Sequence, residues 1–328
     1  MLDKYFPLYV AVFLITLILT AVIEKKFIPF LKINAQQPIY KEGPAWHTAK
    51  SGTPTMGGIA FLSASLISLS LAAVFLLIFE SRESSVSLLL SLGFACANAG
   101  IGLIDDLTKL RRKKNAGLSP KQKLFFQFLL CAIFLLLRAL LLNSDTSLHF
   151  SFGEIELGFF YYPISVFVML GLINSANLTD GIDGLASSVA FAIGVSLFYI
   201  SASLSPELAF ISSAIIGATV GFLLFNLHPA KIFMGDTGSL FLGALITSSA
   251  NLIENEIVIL MVSGVYVIEG FSVVLQVLWY KLTKKRIFKM APLHHHLEKC
   301  GFSENKICLC AIFLTFLFSI PAYIIYLP

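Results

Sequence analysis

Ten apolar stretches of bilayer length divide this 328-residue chain. They run over residues 6–23, 55–79, 86–104, 124–142, 162–176, 185–201, 208–227, 238–252, 257–280 and 307–327. A hydrocarbon layer roughly 30 Å thick takes about 20 helical residues to cross. The fifth and eighth stretches fall short of that. Charged residues make up 13% of the chain, where a soluble domain carries roughly 25%. The expectation is an all-α integral membrane protein of about ten transmembrane helices, one domain over 1–328.

Basic residues set the orientation, because Lys and Arg stay on the cytoplasmic side. With the N-terminus outside, loops 24–54, 105–123, 177–184, 228–237 and 281–306 face inward. They then hold all of the 23 Lys and Arg except Lys4, Arg82 and Arg138. Both termini are expected outside. The first stretch has no basic leader and is followed at once by Glu24, Lys25 and Lys26, so it reads as a retained helix. The longest outer loop, 143–161, contains S-L-H-F-S-F-G-E-I-E and reads as a small periplasmic hairpin. No basic stripe is interleaved with aromatics, which argues against nucleic-acid binding. The five cysteines form no C-x-x-C and read as small buried hydrophobes.

The acids carry the chemistry. Asp105, Asp106, Asp180, Asp183 and Asp236 all fall on the inner side, each at the edge of a span. One such residue is usually a cap or a solvated end. Five from three loops on one face suggest convergence on a divalent cation and a diphosphate. Adjacent Asp105 and Asp106 repel unless a cation or proton intervenes. They lead into a basic run ending at Lys121 and Lys123, read first as a topology and headgroup element, with one or two lysines free to hold phosphate. In N-L-T-D-G-I-D-G-L, 177–185, the two aspartates are three apart and would face one way on a helical turn. In G-D-T-G-S, 235–239, Asp236 opens a span, where backbone N–H groups suit phosphate. No Walker pattern is present.

Two other segments stand out. A-P-L-H-H-H-L-E, 291–298, places three histidines in a row. Consecutive residues cannot share a helical face, so a simple zinc clamp is disfavoured and hydrogen bonds to sugar or phosphate are expected. H-T-A-K-S-G-T-P-T-M-G-G, 47–58, is polar and leads into the second span. Glu269-Gly270 is an intramembrane acid beside a glycine. It reads either as an acid bonded to a neighbouring helix or as the site of a helix break.

Taken together, G-T-P-T-M-G-G, D-D, N-L-T-D-G-I-D-G-L, G-D-T-G-S and A-P-L-H-H-H-L-E, in this order, resemble the polyprenyl-phosphate N-acetylhexosamine-1-phosphate transferases. The H-H-H form is similar to the muramoyl branch of that family. The resemblance implies UDP-N-acetylmuramoyl-pentapeptide as donor, undecaprenyl phosphate as acceptor, lipid I and UMP as products, and Mg²⁺. It further implies a cytoplasmic cleft in the bacterial inner membrane, and a homodimer is compatible with it. By the same resemblance Asp236 is the Mg²⁺ ligand, with Asp105 and Asp106 beside it and Asp105 toward the lipid phosphate. Asn177, Asp180 and Asp183 line the nucleotide site, with Phe233 stacking near the base and Asn226 near the diphosphate. Lys50, Lys113 and Lys121 contact phosphates or nucleoside, Thr55 binds substrate, and His294, His295 and His296 meet the sugar side of the donor.

Phosphoryl transfer between two anions is a problem of repulsion and positioning, which a divalent cation and lysines address. Direct attack of the lipid phosphate on the donor's β-phosphate is the simpler route, and a covalent Asp intermediate the less economical one. Two rivals remain at this stage. A UDP-N-acetylglucosamine donor keeps the chemistry but not the H-H-H segment. A secondary transporter would put its charges near the midplane and show repeats, whereas these acids lie at one surface.

Overall fold

The computed structural model describes residues 2–35, 50, 52–112, 117–142, 145–201 and 205–326. The expected contact at Lys113 lies outside the described residues. Helix α1 (Leu2–Asn34) is followed by α2 (Gly58–Phe79), α3 (Arg82–Arg112) and α4 (Pro120–Leu142). A hairpin of β1 (Ser147–Phe150) and β2 (Gly153–Glu156) comes next. Then come α5 (Tyr161–Thr179), α6 (Leu185–Ser201), α7 (Pro206–Asn226), α8 (Gly235–Ile253), α9 (Glu256–Val262) and α10 (Gly264–Thr283). Helices α11 (Leu293–Lys299) and α12 (Glu304–Tyr326) complete the chain. Eight of these helices are long and apolar enough to cross a membrane.

Each expected span has a helix, with instructive differences. Helix α3 runs on to Arg112, because D-D-L-T-K-L-R-R contains nothing that stops a helix. Asp105 and Asp106 therefore sit inside a helix rather than at its end. Residues 55–57 stand outside α2 as loop. The ninth span is broken, but at Ser263 and not at Glu269-Gly270, which lie inside continuous α10. Asn255 starts α9 by accepting from the N–H groups of Ile257 and Val258 at 3.0 and 3.1 Å.

Burial explains why α8 reads weakly as a span. Nearly all of α7 and α8 is enclosed, while α2, α4 and α12 carry the exposed Leu, Ile and Phe that meet lipid. A helix enclosed by other helices can carry polar residues, and α8 buries Thr247, Ser248, Ser249 and Asn251. Thr247 and Ser248 return their hydroxyls to the carbonyls of Gly243 and Leu245. Among the cysteines, Cys131 and Cys308 are buried as expected, but Cys300 and Cys310 are exposed.

Glycine lets other helices close on the start of α8. A Cβ on Gly58 would lie 2.2 Å from Cα of Gly238, and one on Gly102 would lie 2.3 Å from the carbonyl oxygen of Asp236. Helices α2 and α3 thus meet α8 backbone to backbone. The loop before α2 adds a short ladder: Phe233 N–H donates to Pro54 O at 2.8 Å, and Gly57 N–H to Phe233 O at 2.9 Å.

The loops sort into two ends. Lys50, residues 52–57, 180–184, 227–234 and 289–303, and the ends of α3 and α4 that carry Lys109 and Lys123, gather around the aspartates. At the other end Tyr5 bonds Glu80, the hairpin bonds the α8–α9 turn through His149 N–H to Glu254 O, and Ser151 N–H reaches Ile325 O. Both described chain ends lie at the end of the bundle away from the aspartates.

Candidate active site

Three carboxylates from two helices form the centre. Asp105, Asp106 and Asp236 each offer an oxygen, all within 4.8 Å of one another. Asp105 is 1% and Asp106 4% exposed, so neither charge is solvated by bulk water. Each has its own arrangement of partners. Asp106 accepts from the α8 start: Asp236 N–H at 3.1 Å, Thr237 N–H at 2.9 Å and the Thr237 hydroxyl at 2.7 Å. A carboxylate at a helix N-terminus also opposes the positive end of its dipole. Gly235, at φ +74, makes the turn into α8, and a Cβ there would stand 2.8 Å from Asp106 Oδ2.

Asp105 and Asp236 face two ammonium groups. Lys109 Nζ lies 2.6 Å from Asp105 Oδ2 and 2.9 Å from Asp236 Oδ2. Lys123 Nζ lies 2.7 Å from Asp236 Oδ2 and 3.6 Å from Asp105 Oδ2. Leu118 N–H donates to Asp105 Oδ1 at 2.6 Å, and Asn177 Nδ2 holds Asp236 Oδ1 at 2.9 Å and Ser239 Oγ at 2.8 Å. Lys109 was not singled out from the sequence, and Lys123 only as the end of the basic run. The signal for Lys109 was its i,i+4 spacing from Asp105, usable once α3 is known to continue. Lys121, expected to contact phosphate, is exposed on α4 two residues from Lys123, and the structure does not bring it to the carboxylates.

The N-L-T-D-G-I-D-G-L segment leaves the helix after Thr179, so its aspartates part company. Asp183 is 3% exposed. Its Oδ1 pairs with Lys50 Nζ at 2.7 Å, and its Oδ2 meets His228 Nδ1 at 2.9 Å and Ala230 N–H at 3.1 Å. Glu304 completes this second cluster, accepting from Lys50 Nζ and Asp183 N–H, both at 2.7 Å. His228 and Glu304 are further residues that sequence reasoning missed. Asp180 turns toward the first cluster instead. Burial, with the carboxylates of Asp236, Asp106 and Asp183 nearby, pushes its pKa up to about 8.

The other expected residues divide between open and committed groups. Phe233 is partly exposed. Asn226 is buried and clamps two loops, accepting from Gly184 N–H at 3.1 Å and donating to Ile232 O at 2.9 Å. Thr55 is buried, with Oγ1 beside Gly235. The three histidines point three ways on α11. His294 is fully buried against Glu269, His295 bonds Glu298 at 2.7 Å, and His296 accepts from Lys289 N–H at 3.1 Å. Glu269 is thus an acid bonded to a neighbouring element. An open depression of about 880 Å³ adjoins the second cluster, bounded by His228, Glu304, Glu298, Lys289, Lys299 and Phe302.

Oxygen-only donors on a tight carboxylate trio fit a hard divalent cation such as Mg²⁺. The cationic neighbours that Asp105 and Asp236 have recruited are the charge partners such a trio demands. An arrangement of this kind is able to bind phosphate, and comparison with known proteins gives the family. Residues 87–254, α3 to the end of α8, match the model for glycosyl transferase family 4. Residues 50–62, spanning G-T-P-T-M-G-G, match phospho-N-acetylmuramoyl-pentapeptide-transferase signature 1. The chain is 44% identical over 303 residues to the phospho-N-acetylmuramoyl-pentapeptide-transferase of Halalkalibacterium halodurans, covering 90% of this chain and 92% of that one. The chain belongs to the phospho-N-acetylmuramoyl-pentapeptide-transferase family. The relative of that name in Caldicellulosiruptor bescii is 41% identical over 94% of this chain and 93% of its own, and that of Clostridium perfringens 38% over 97% and 96%. Membership makes the protein a multi-pass membrane transferase and sets the transporter reading aside.

Proposed function

We propose that this protein transfers phospho-N-acetylmuramoyl-pentapeptide from its UDP derivative to undecaprenyl phosphate, giving lipid I and UMP for peptidoglycan synthesis. The site then lies at the cytoplasmic face of the bacterial inner membrane. The observation that carries the reading is the first cluster, with carboxylates and ammonium groups interleaved at one end of a lipid-facing bundle, inside the segment that matches the family.

The donor's nucleoside is assigned to the Asp183 cluster, with Phe233 against the base and Lys50 beside the phosphates or ribose. The diphosphate is assigned to the space before Asp236, with Lys109 and Lys123 as its cationic partners. Asp236, with Asp105 and Asp106 beside it, would hold Mg²⁺, which supplies charge neutralisation at the diphosphate when bound. Asp105 faces the lipid phosphate and takes up its proton where one remains. The phosphate oxygen attacks the β-phosphorus, the bond to the α-phosphate oxygen breaks, and UMP leaves with that oxygen. Asn177 and Asp106 do not touch the substrate in this scheme. Asn177 fixes the Asp236 side chain, and Asp106 fixes the turn that carries it.

The test is release of UMP by detergent-solubilised protein with undecaprenyl phosphate and either the muramoyl-pentapeptide donor or UDP-N-acetylglucosamine. Release is expected with the first donor only, and lost on chelation of divalent cations. Equal release with the second donor would overturn the donor assignment.

A further inference from the structure

Glu269 lies in α10, 5% exposed and within the apolar part of the chain, where an acid is costly unless it is satisfied. Its carboxylate is spent entirely on the first histidine of H-H-H. His294 N–H donates to Oε1 at 3.1 Å and Oε2 at 3.3 Å, and His294 Nδ1 lies 3.1 Å from Oε2. The backbone N–H and Nδ1 of His294 both face that carboxylate, which leaves Nε2 turned away from it. That Nε2 is buried and has no hydrogen-bond partner among the described residues. It is aimed at Gly181, where a Cβ would stand only 2.2 Å away. Gly181 separates Asp180 from the loop residues leading to Asp183. His294 itself is 0% exposed, so no donor sugar can reach it in this arrangement.

We infer that Glu269 and His294 form a strut that sets the 180–184 loop from behind, so that the first histidine serves the nucleotide end of the site through Gly181 rather than touching the sugar. The inference rests on the reading of Asp183 as nucleotide-facing. Glu269 and His294 are positioning residues. The carboxylate fixes the ring, the ring fills the volume behind Gly181, and the loop carries Asp180 and Asp183 to their separate clusters. Helix α10 also approaches α5 closely here, since a Cβ on Gly270 would meet Ser175 Oγ at 2.1 Å. The support beneath the strut is therefore packed and not free to swing.

The test is UMP binding to detergent-solubilised protein by calorimetry, with turnover of the full donor measured in parallel. His294→Ala is expected to weaken UMP binding about 10-fold or more, a loss equivalent to about 1.4 kcal/mol. Glu269→Gln keeps an oxygen facing His294 and is expected to stay within about 3-fold of wild type, whereas Glu269→Leu should behave like His294→Ala. Gly181→Ala should weaken UMP binding because its methyl collides with the ring, and adding His294→Ala should restore binding relative to Gly181→Ala alone. Such non-additivity reports the contact itself. Asp183→Asn serves as the reference. If it weakens UMP binding while His294→Ala and Glu269→Leu do not, the strut is wrong. If Asp183→Asn leaves UMP binding unchanged, the nucleotide reading of the loop is wrong. A His294→Ala variant that binds UMP normally but loses discrimination between donor sugars would return the histidine to the sugar.

Discussion

Asp106 accepts the backbone N–H of Thr237 at 2.9 Å and the Thr237 hydroxyl at 2.7 Å, so a carboxylate of α3 caps α8 across the helix interface. It is one of an adjacent acidic pair, yet its oxygens are directed at backbone. Asp106→Asn leaves one amide oxygen to accept and turns an N–H₂ toward donors. The start of α8 should loosen, with a loss of about 1–3 kcal/mol in stability and a large loss of activity. Thr237→Val should show the milder half of this effect, seen as a smaller drop in melting temperature. Asp106→Asn with unchanged melting temperature would remove the capping role.

Asp236→Asn conserves volume and removes the charge that Lys109, Lys123 and Asn177 surround. Turnover should fall on the order of 10³-fold or more. The variant should still elute as a monodisperse peak in detergent, because Asn keeps an oxygen for Asn177 and the backbone N–H at 236 still reaches Asp106. Near-normal kcat in that material would refute its place at the reacting phosphates.

Lys121 and Lys123 provide an internal comparison. Only Lys123 reaches the carboxylates, at 2.7 Å from Asp236. Lys123→Ala should lower kcat/KM about 10²-fold, and Lys121→Ala less than about 3-fold. The reverse order would mean that the loop before α4 rearranges when substrate binds.

Asp180 predicts a pH dependence with a definite sign. Its folded pKa, about 8, lies above the ordinary 3.8, so the folded state holds a proton that the unfolded chain has lost. Stability from this group is full below about pH 4, declines as pH rises through the window up to 8, and stays low above it. Asp180→Asn mimics the protonated form and lacks the decline. Melting curves should show the variant several degrees above wild type at pH 9 and close to it near pH 5. Equal pH slopes for the two proteins would show that Asp180 ionises freely in the fold.

Gly58→Ala tests the α2–α8 contact. Its methyl would stand 2.2 Å from Cα of Gly238, where only backbone could yield. Overpacking of this kind costs typically 1–3 kcal/mol. Thermal stability and activity should fall together, and Gly93→Ala, which meets nothing within 4 Å, serves as the tolerant control. An unaffected Gly58→Ala would show that the two backbones are further apart than described.

Hydropathy made the helical bundle legible, because the bilayer imposes apolar stretches on sequence directly. The hairpin at 147–156 was equally legible from its alternation. The break at Ser263 was not, since neither Ser nor its apolar neighbours interrupt hydropathy; the only local sign was the Asn255 cap ahead of it. Asp105, Asp236 and Asp183 could be recognised as chemistry-bearing, because a carboxylate at a membrane edge needs a reason. The pairing of Asp183 could not, since Lys50, named only through the motif resemblance, and His228 and Glu304, not named at all, lie far apart in sequence and meet only through the fold. His294 shows the remaining limit. A histidine's type and motif are visible in sequence, but whether it faces a ligand or a loop depends on burial.

The glycine contacts along α8 also set how this protein tolerates change. Gly58, Gly102, Gly235 and Gly238 are each pressed by backbone or by a buried carboxylate. Positions in such a vice have no neutral neighbours in sequence space, because the smallest side chain already collides. A combinatorial library spread over residues 233–239 should return almost no active clones. The same diversity spread over 284–286, where Lys284, Lys285 and Arg286 stand exposed, should return many. Tolerance of change in this chain is thereby channelled away from the start of α8 to its exposed basic rim.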